Sequence, residues 1–239
     1  MQLQENEVLK VFSISDLHLS INSNKPMNIF GPVWENYLQD IEESWNNLVT
    51  DDDVVLIPGD ISWAMHLKDA IADLEYISQF KGKKVILRGN HDYWWKSISD
   101  LRSKLPTNMY AIQNDAIKFG NVIICGSRGW IVPETTHKTP EDEKIFNREL
   151  IRLELSLKEA NTLKQDGDII ICITHYPPFN SRHEDSPVTA LMEKYGVKKA
   201  VFGHLHSYDK RQSLTYNKNG IEYYLTSCDL VNNKLVEIL

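Results

Sequence analysis

The sequence has little that would tie it to a membrane, to secretion or to a polyanion. No apolar run approaches the ~20 residues that a membrane-spanning helix requires. Residues 1–7 lack the basic patch and apolar stretch of a signal peptide. The formal net charge of −7 gives no general attraction to nucleic acid or anionic membranes. We therefore expect a cytoplasmic protein without a membrane partner, and the lack of a basic stripe argues against a nucleic acid polymer as partner.

Cysteine is scarce, and so are features that would divide the chain. Cys125, Cys172 and Cys228 are odd in number and far apart, so we expect buried free thiols in a reducing compartment. Repeats, low-complexity tracts and linkers are absent. Apolar residues make up 42% of the chain, which suffices for a sizeable core. These observations predict one domain spanning residues 1–239.

Strand and helix patterns alternate along the chain, which predicts an α/β fold. Short apolar runs predict strands at residues 8–14, 54–57, 85–87, 122–125, 169–173 and 200–202. Apolar residues at helical spacing predict helices at residues 34–49, 67–77 and 141–164. Two further strands are predicted at 221–226 and 234–238. The Asn232-Asn233 pair between them is typical of a hairpin turn, so we expect these two strands to pair.

Five short polar motifs each follow an apolar run. They are Asp16-Leu17-His18, Gly59-Asp60, Gly89-Asn90-His91-Asp92, Thr174-His175 and Gly203-His204-Leu205-His206. Every motif contains a residue type that binds divalent metals through oxygen or imidazole nitrogen. A strand end is a rigid support at the sheet edge where open α/β folds bind ligands. The five strand ends can therefore converge on one metal site.

The spacing within the motifs supports a shared site. Asp16 and His18 are two residues apart, as are His204 and His206. On an extended strand end, residues at this spacing point to the same side and can grip one metal.

Gly59 and Gly89 precede candidate ligands at sharp strand exits, where glycine tolerates backbone conformations that other residues avoid. Asn90 offers a neutral carbonyl oxygen. The candidates comprise two aspartates, one asparagine and four histidines, too many for one tetrahedral site and suited to two metals that share a carboxylate. The absence of cysteine among them argues against a structural zinc site.

Two bound metals would make the site locally positive in an otherwise acidic protein. Two divalent cations against two carboxylates leave the site near +2, which attracts anions. Metals about 3.5–4 Å apart can hold a bridging hydroxide and clamp the attacking and leaving oxygens of a phosphoryl centre. We expect manganese, iron or zinc to fill this role.

The five motifs, in this order, resemble those of the calcineurin-like metallophosphoesterase superfamily. The resemblance spans residues 16–206 and implies a sandwich of two mixed β-sheets flanked by α-helices. It implies that three residues bind the first metal: Asp16, His18 and His206. It implies that three others bind the second metal: Asn90, His175 and His204. Asp60 would bridge both metals, and His91 would protonate the leaving oxygen.

The sequence departs from two branches of that superfamily. Where protein phosphatases carry an aspartate that orients the catalytic histidine, this chain has Trp63. The metal-binding tyrosine of purple acid phosphatases has no counterpart near Gly59-Asp60. Both branches are therefore disfavoured, and the orienting partner of His91 is not identified. Asp92 is expected to fix its loop.

The resemblance implies dinuclear hydrolysis of small phosphorylated substrates: phosphomonoesters, small phosphodiesters or nucleotides. Arg128 and Arg182 lie on loops after apolar strands and are candidate phosphate clamps, since a guanidinium matches phosphate oxygens as a bidentate fork. Two alternatives remain open: a nuclease, and a non-catalytic interaction scaffold on the same fold. The full ligand set and His91 favour an enzyme.

Overall fold

The computed structural model describes residues 9–23, 25–133, 139–207 and 213–239. Two mixed β-sheets stack face to face, and α-helices cover their outer surfaces. The predicted α/β sandwich is thus confirmed.

The first sheet has five strands in the order β11-β1-β2-β3-β4. Its strands are β1 (Val11–Ser13), β2 (Val54–Pro58), β3 (Lys83–Leu87), β4 (Met109–Ala111) and β11 (Val236–Glu237). Strands β1 to β4 are parallel, and β11 pairs antiparallel with β1.

The second sheet has six strands in the order β5-β6-β7-β8-β10-β9. Its strands are β5 (Ala116–Phe119), β6 (Val122–Ser127), β7 (Ile169–Thr174), β8 (Lys199–Phe202), β9 (Thr215–Lys218) and β10 (Ile221–Leu225). The four central strands are parallel, and both edge strands pair antiparallel. In both sheets the parallel strands send their carboxyl ends to one edge.

Within the described residues, five α-helices pack on the outer faces of the sheets. They are α1 (Tyr37–Leu48), α2 (Leu67–Ser78), α3 (Ile98–Arg102), α4 (Pro140–Leu163) and α5 (Pro187–Lys194). The first three cover the first sheet, and the last two cover the second. The helix predicted at 34–49 begins three residues later, because 3₁₀ turns at Met27–Phe30 and Pro32–Trp34 precede it.

Along each central strand, successive side chains pack alternately into two different hydrophobic cores. In β2, Val54 and Leu56 face the second sheet, whereas Val55 and Ile57 face the helices. Strands with both faces buried read as continuous apolar runs, which explains why the sequence pattern located them. The described residues contain no helix long and apolar enough to cross a membrane. Cys125, Cys172 and Cys228 are buried free thiols, as predicted.

The predicted hairpin at the end of the chain is wrong. Strand β10 pairs with β8 and β9 in the second sheet, whereas β11 pairs with β1 in the first. Asn232 and Asn233 do adopt left-handed backbone conformations, at φ of 52° and 58°. They turn the chain from one sheet to the other, and the side chain of Asn233 donates to the carbonyl of Val33. The Asn232-Asn233 pair thus correctly predicted a turn, but it did not determine which strands pair.

Candidate metal centre

The five polar motifs lie at one edge of the sandwich. They follow β1, β2 and β3 of the first sheet and β7 and β8 of the second. All seven predicted ligands meet there, and they fall into two groups joined by Asp60.

The first group contains Asp16, His18 and His206, whose candidate ligand atoms all lie within 4.8 Å of one another. The Nε2 atoms of His18 and His206 are 3.4 Å apart. The Nε2 of His206 is 3.8 Å from the Oδ1 of Asp16. Two imidazole nitrogens and a carboxylate oxygen thus face one small space.

The second group contains Asn90, His175 and His204. The Oδ1 of Asn90 lies 2.7 Å from the Nε2 of His175 and 2.9 Å from the Nδ1 of His204. Between the two groups, the Oδ2 of Asp60 lies 3.4 Å from His175 Nε2 and 4.0 Å from His18 Nε2. Asp60 therefore has the position that a shared ligand needs.

The charges of this cluster fit a cation. Burial and the neighbouring Asp60 raise the pKa of Asp16, although nearby histidines oppose this effect. Burial lowers the pKa of His18 to about 3 and that of His204 to about 4, which favours the neutral imidazole that metals bind. Burial also acts to lower the pKa of His175, but Asp60 and Asp16 outweigh it and raise that pKa to about 9. Two adjacent buried carboxylates thus attract positive charge into the cluster.

Four of the candidate ligands have an uncommon backbone conformation. Asp16, His18, Asp60 and His204 have φ between 47° and 72°, the left-handed region that residues other than glycine rarely adopt. Such conformations cost on the order of 1–3 kcal/mol each, and they concentrate at functional sites. Hydrogen bonds from the amides of Asp16 and His18 to the carbonyls of Gly59 and Asp60 hold the first two loops together.

The two glycines of the centre differ in backbone conformation, although a β-carbon on either would collide with its neighbours. Gly59 has φ of 97°, as its predicted role requires. Gly89 lacks a positive φ, so the expected conformational reason is wrong for that residue. A β-carbon on Gly89 would collide with the Oδ1 and the backbone nitrogen of Asp60. Gly89 is therefore required by the close approach of a ligand carboxylate.

Asp92 fixes the loop, as expected from the sequence. Its buried carboxylate accepts hydrogen bonds from four backbone amides and from the indole of Trp94. The four amides belong to Gly89, Asp60, Ile61 and Ser62. Burial and the charge of Asp60 raise the pKa of Asp92 to about 6, against these hydrogen bonds. The ionised side chain ties the loop after β2 to the loop after β3.

His91 faces a cavity of about 390 Å³ beside the first group. His18 and His206 also line the cavity. Its other lining residues are Met27, Phe30, Trp34, Trp63 and Asp229. Trp63 stacks on His18 with centroids 4.6 Å apart, and its ring centroid lies 4.8 Å from that of His91. The side chain beside His91 is therefore the aromatic ring of Trp63. Protein phosphatases have a carboxylate at the corresponding position.

A second cavity, of about 300 Å³, lies beside His204 in the second group. Its walls include Val132, Tyr176 and Phe179, and the rings of Tyr176 and His204 are 4.1 Å apart. Neither cavity has a lysine or arginine among its described lining residues.

The two candidate arginine clamps lie elsewhere. Arg128 sits behind the second group, where its carbonyl accepts hydrogen bonds from the amides of His175 and Tyr176. Its side chain lines a separate basic cavity. Arg182 is 63% exposed and forms a bidentate pair with Glu184. Neither arginine lines the cavities beside the metal ligands, and their roles in substrate binding stay predictions.

Sequence reasoning missed Asp229 and most of the aromatic wall. The Oδ1 of Asp229 lies 3.1 Å from the Nδ1 of His206. A carboxylate there orients the ring and raises its basicity as a ligand. Asp229 follows β10 by only a few residues, so the strand-end argument applied to that strand would have found it. Phe30 and Trp34 belong to 3₁₀ turns and carried no comparable signal.

Comparisons with known proteins identify the family of the chain. Residues 9–208 match the model of the calcineurin-like phosphoesterase family. Among solved structures, TT1561 of Thermus thermophilus is 13% identical with a TM-score of 0.59, covering 96% of this chain and 98% of that one. The phosphopantetheinyl hydrolase (PptH) from Mycobacterium tuberculosis is 13% identical with a TM-score of 0.57, covering 96% and 95%.

At these identities the two structures show a shared fold and nothing finer. Comparison with the curated proteins gives no significant match. The family model nevertheless covers most of the chain, including all five polar motifs. The chain therefore belongs to the calcineurin-like phosphoesterase family.

Proposed function

We propose that this protein hydrolyses small phosphate esters at a dinuclear metal centre. The observation that carries the proposal is the meeting of seven oxygen and imidazole donors in two groups joined by Asp60. Asp16, His18 and His206 would hold one cation, and a second set would hold the other: Asn90, His175 and His204. When bound, the metals would supply a hydroxide nucleophile and positive charge for the phosphoryl oxygens.

The protein's own groups would orient the metal ligands and move a proton. Asp92 and Asp229 would hold Asp60 and His206 in place through the hydrogen bonds described above. His91 faces the aromatic cavity next to His18, where its ring could reach a leaving oxygen. Its backbone amide donates to the Oδ1 of Asp60 at 2.8 Å, which fixes it against the shared carboxylate. His91 would then protonate the departing alkoxide.

The walls of the cavities favour a small substrate with an apolar or planar leaving group. The cavity beside His91 has aromatic and thioether surface, which comes from Trp34, Trp63, Met27 and Phe30. Such a surface suits a nucleobase, an aromatic ring or an aliphatic chain. A nuclease would need cations beside the metal ligands to hold a backbone of phosphates, and the described lining residues of the two cavities next to His91 and His204 include neither lysine nor arginine. A non-catalytic scaffold would not need a complete donor set with a proton donor beside it.

A metal and substrate assay tests the proposal. The purified protein is loaded with manganese, iron or zinc, its metal content is measured by elemental analysis, and phosphomonoesters and phosphodiesters are screened. A phosphopantetheinyl ester belongs in the screen because a protein of the same fold carries that name. We expect two metals per chain and hydrolysis that chelation abolishes. One metal or none, or no hydrolysis of any ester by the loaded protein, contradicts the proposal.

The aromatic cavity offers a matched pair of variants. Ile29 and Phe30 are both exposed on the same 3₁₀ turn, but only Phe30 lines the cavity. Phe30→Ala should raise KM for an aromatic ester more than for a methyl ester, and Ile29→Ala should change neither. If both variants act alike, the leaving group does not enter this cavity.

A further inference from the structure

A third cavity, of about 270 Å³, lies outside the metal centre and is strongly basic. Five cationic side chains line it: Arg88, Lys96, Arg128, Arg148 and Arg152. Glu149 is the one carboxylate among the described lining residues. The cavity thus has an excess of four positive charges, whereas the chain as a whole has a formal net charge of −7.

The single carboxylate does not neutralise this cavity. The Oε1 of buried Glu149 lies 2.7 Å from Arg152 Nη1 and 3.6 Å from nitrogens of both Arg128 and Arg148. Three guanidinium groups thus share one oxygen. The carboxylate of Asp92 also attracts Arg88, but N–H groups already occupy its oxygens, as described above.

Two guanidinium groups have donors that the described part of the chain leaves unsatisfied. The Nε atoms of Arg88 and Arg128 are buried and have no hydrogen-bond partner there. A buried donor without an acceptor is costly, and the cost is greater for a charged group. Clustered like charges add repulsion at short range. A bound oxyanion would offset the repulsion between these cations.

From these observations we infer that the cavity is a binding site for a phosphate-class oxyanion, distinct from the metal centre. Guanidinium forks match the oxygens of phosphate. A volume of about 270 Å³ equals that of roughly nine water molecules, which admits one phosphate group with part of its carrier. The anion is either free phosphate or a second phosphate group of the substrate. The site does not depend on hydrolysis at the metals.

The position of the cavity relates it to the second metal group. Arg88 precedes Gly89-Asn90, and the carbonyl of Arg128 accepts the amide hydrogens of His175 and Tyr176. Two of the basic residues, Arg88 and Arg128, are therefore directly linked to the loops that carry Asn90 and His175.

Binding of inorganic phosphate to the metal-loaded protein tests the inference by calorimetry. Arg148→Gln should lower the number of phosphates bound per chain by one, or weaken that binding by about tenfold or more. Arg88→Gln should do the same. Lys158→Gln is the matched control, since Lys158 is an exposed cation on the same helix α4 that does not line the cavity. Glu149→Gln should tighten phosphate binding.

The source of the anion follows from a second measurement. If it belongs to the substrate, Arg148→Gln raises KM for an ester with two phosphate groups and leaves KM for a monophosphate unchanged. If it is free phosphate, KM is unchanged for both, and phosphate raises the melting temperature of the wild type more than that of Arg148→Gln. The inference is overturned if wild type, Arg88→Gln, Arg148→Gln and Lys158→Gln bind the same number of phosphates with the same affinity. That result leaves hydrolysis at the metal centre untouched.

Discussion

Asp92 is the residue whose replacement tests most directly how the fold builds the candidate metal centre. Asp92→Asn preserves the shape of the side chain and replaces one accepting oxygen with a donating amide group. In the structure, Oδ1 accepts from the amides of Ile61 and Ser62 and from the indole of Trp94. The other oxygen, Oδ2, accepts from the amides of Asp60 and Gly89.

The cost of the substitution follows from these five hydrogen bonds. Whichever way the new amide turns, at least two buried N–H groups of the protein lose their acceptor and face a donor. Each buried donor left unsatisfied costs about 1–3 kcal/mol, so the unfolding free energy should fall by about 2–6 kcal/mol. That is a large part of the ~5–15 kcal/mol by which a domain of this kind is stable. The two loops that carry Asp60 and Asn90 should also separate.

Urea denaturation in the presence of a chelator measures the unfolding free energy. Elemental analysis after metal loading measures the number of metal ions bound per chain. Two aspartates serve as controls. Asp53 is buried away from the site and accepts hydrogen bonds from Thr50 and Lys10, so Asp53→Asn should lose stability and keep its metals. Asp69 is exposed in the first turn of α2, so Asp69→Asn should change neither.

Two results would refute this reasoning. An unfolding free energy of Asp92→Asn within about 0.5 kcal/mol of the wild type, the range of ordinary surface substitutions, would mean that the hydrogen bonds are not maintained. Equal metal loss in Asp92→Asn and Asp53→Asn would mean that metal loss reflects general destabilisation.

Three further predictions concern proton transfer, pH and the metal set. His91→Ala should lower kcat on alkyl phosphoesters by about 10²–10⁴-fold and much less on a nitrophenyl ester, with metal content unchanged; equal losses on both would exclude a proton donor. Burial lowers the pKa of Lys84 to about 8, so between pH 8 and 10 the unfolded chain binds more protons at this residue than the folded protein does. The unfolding free energy should therefore rise from pH 8 to 10, and this rise should be smaller in Lys84→Met. Asp60→Ala should lose both metals, whereas His206→Ala should mainly weaken one; by elemental analysis, equal losses would contradict a shared Asp60.

The part of the site predictable from sequence is the part built on buried strands. Strands β2 and β7 are apolar on both faces, so their ends and the residues just beyond them, Asp60 and His175, stand out in the pattern. Convergence then follows from parallel topology, because the carboxyl ends of parallel strands share one edge. Family resemblance added the assignment of each ligand to a metal.

The features that sequence did not predict depend on contacts between distant segments. Gly89 is needed because Asp60 approaches it, and no local pattern records that approach. Phe30 lies far along the chain from Trp63 and meets it only across a cavity. The basic cavity likewise joins the end of β3 to helix α4. Strand partners fall in the same class, which is why β10 and β11 were wrongly expected to pair.

The candidate metal ligand Asp16 is held in place at an energetic cost. Asp16 has a left-handed backbone and a fully buried carboxylate, each unfavourable by itself. Its Oδ2 accepts hydrogen bonds from the hydroxyls of Ser15 and Ser227, and the amide of His204 donates to the same carboxylate. Ser15 also bridges to Ser227 between the two sheets. The seam between the sheets thus supplies the donors that offset the burial of Asp16, and this requires both sheets to be complete. A change that loosens the pairing of the sheets near Ser227 therefore acts on the carboxylate of Asp16, a candidate metal ligand, before it reaches the aliphatic core.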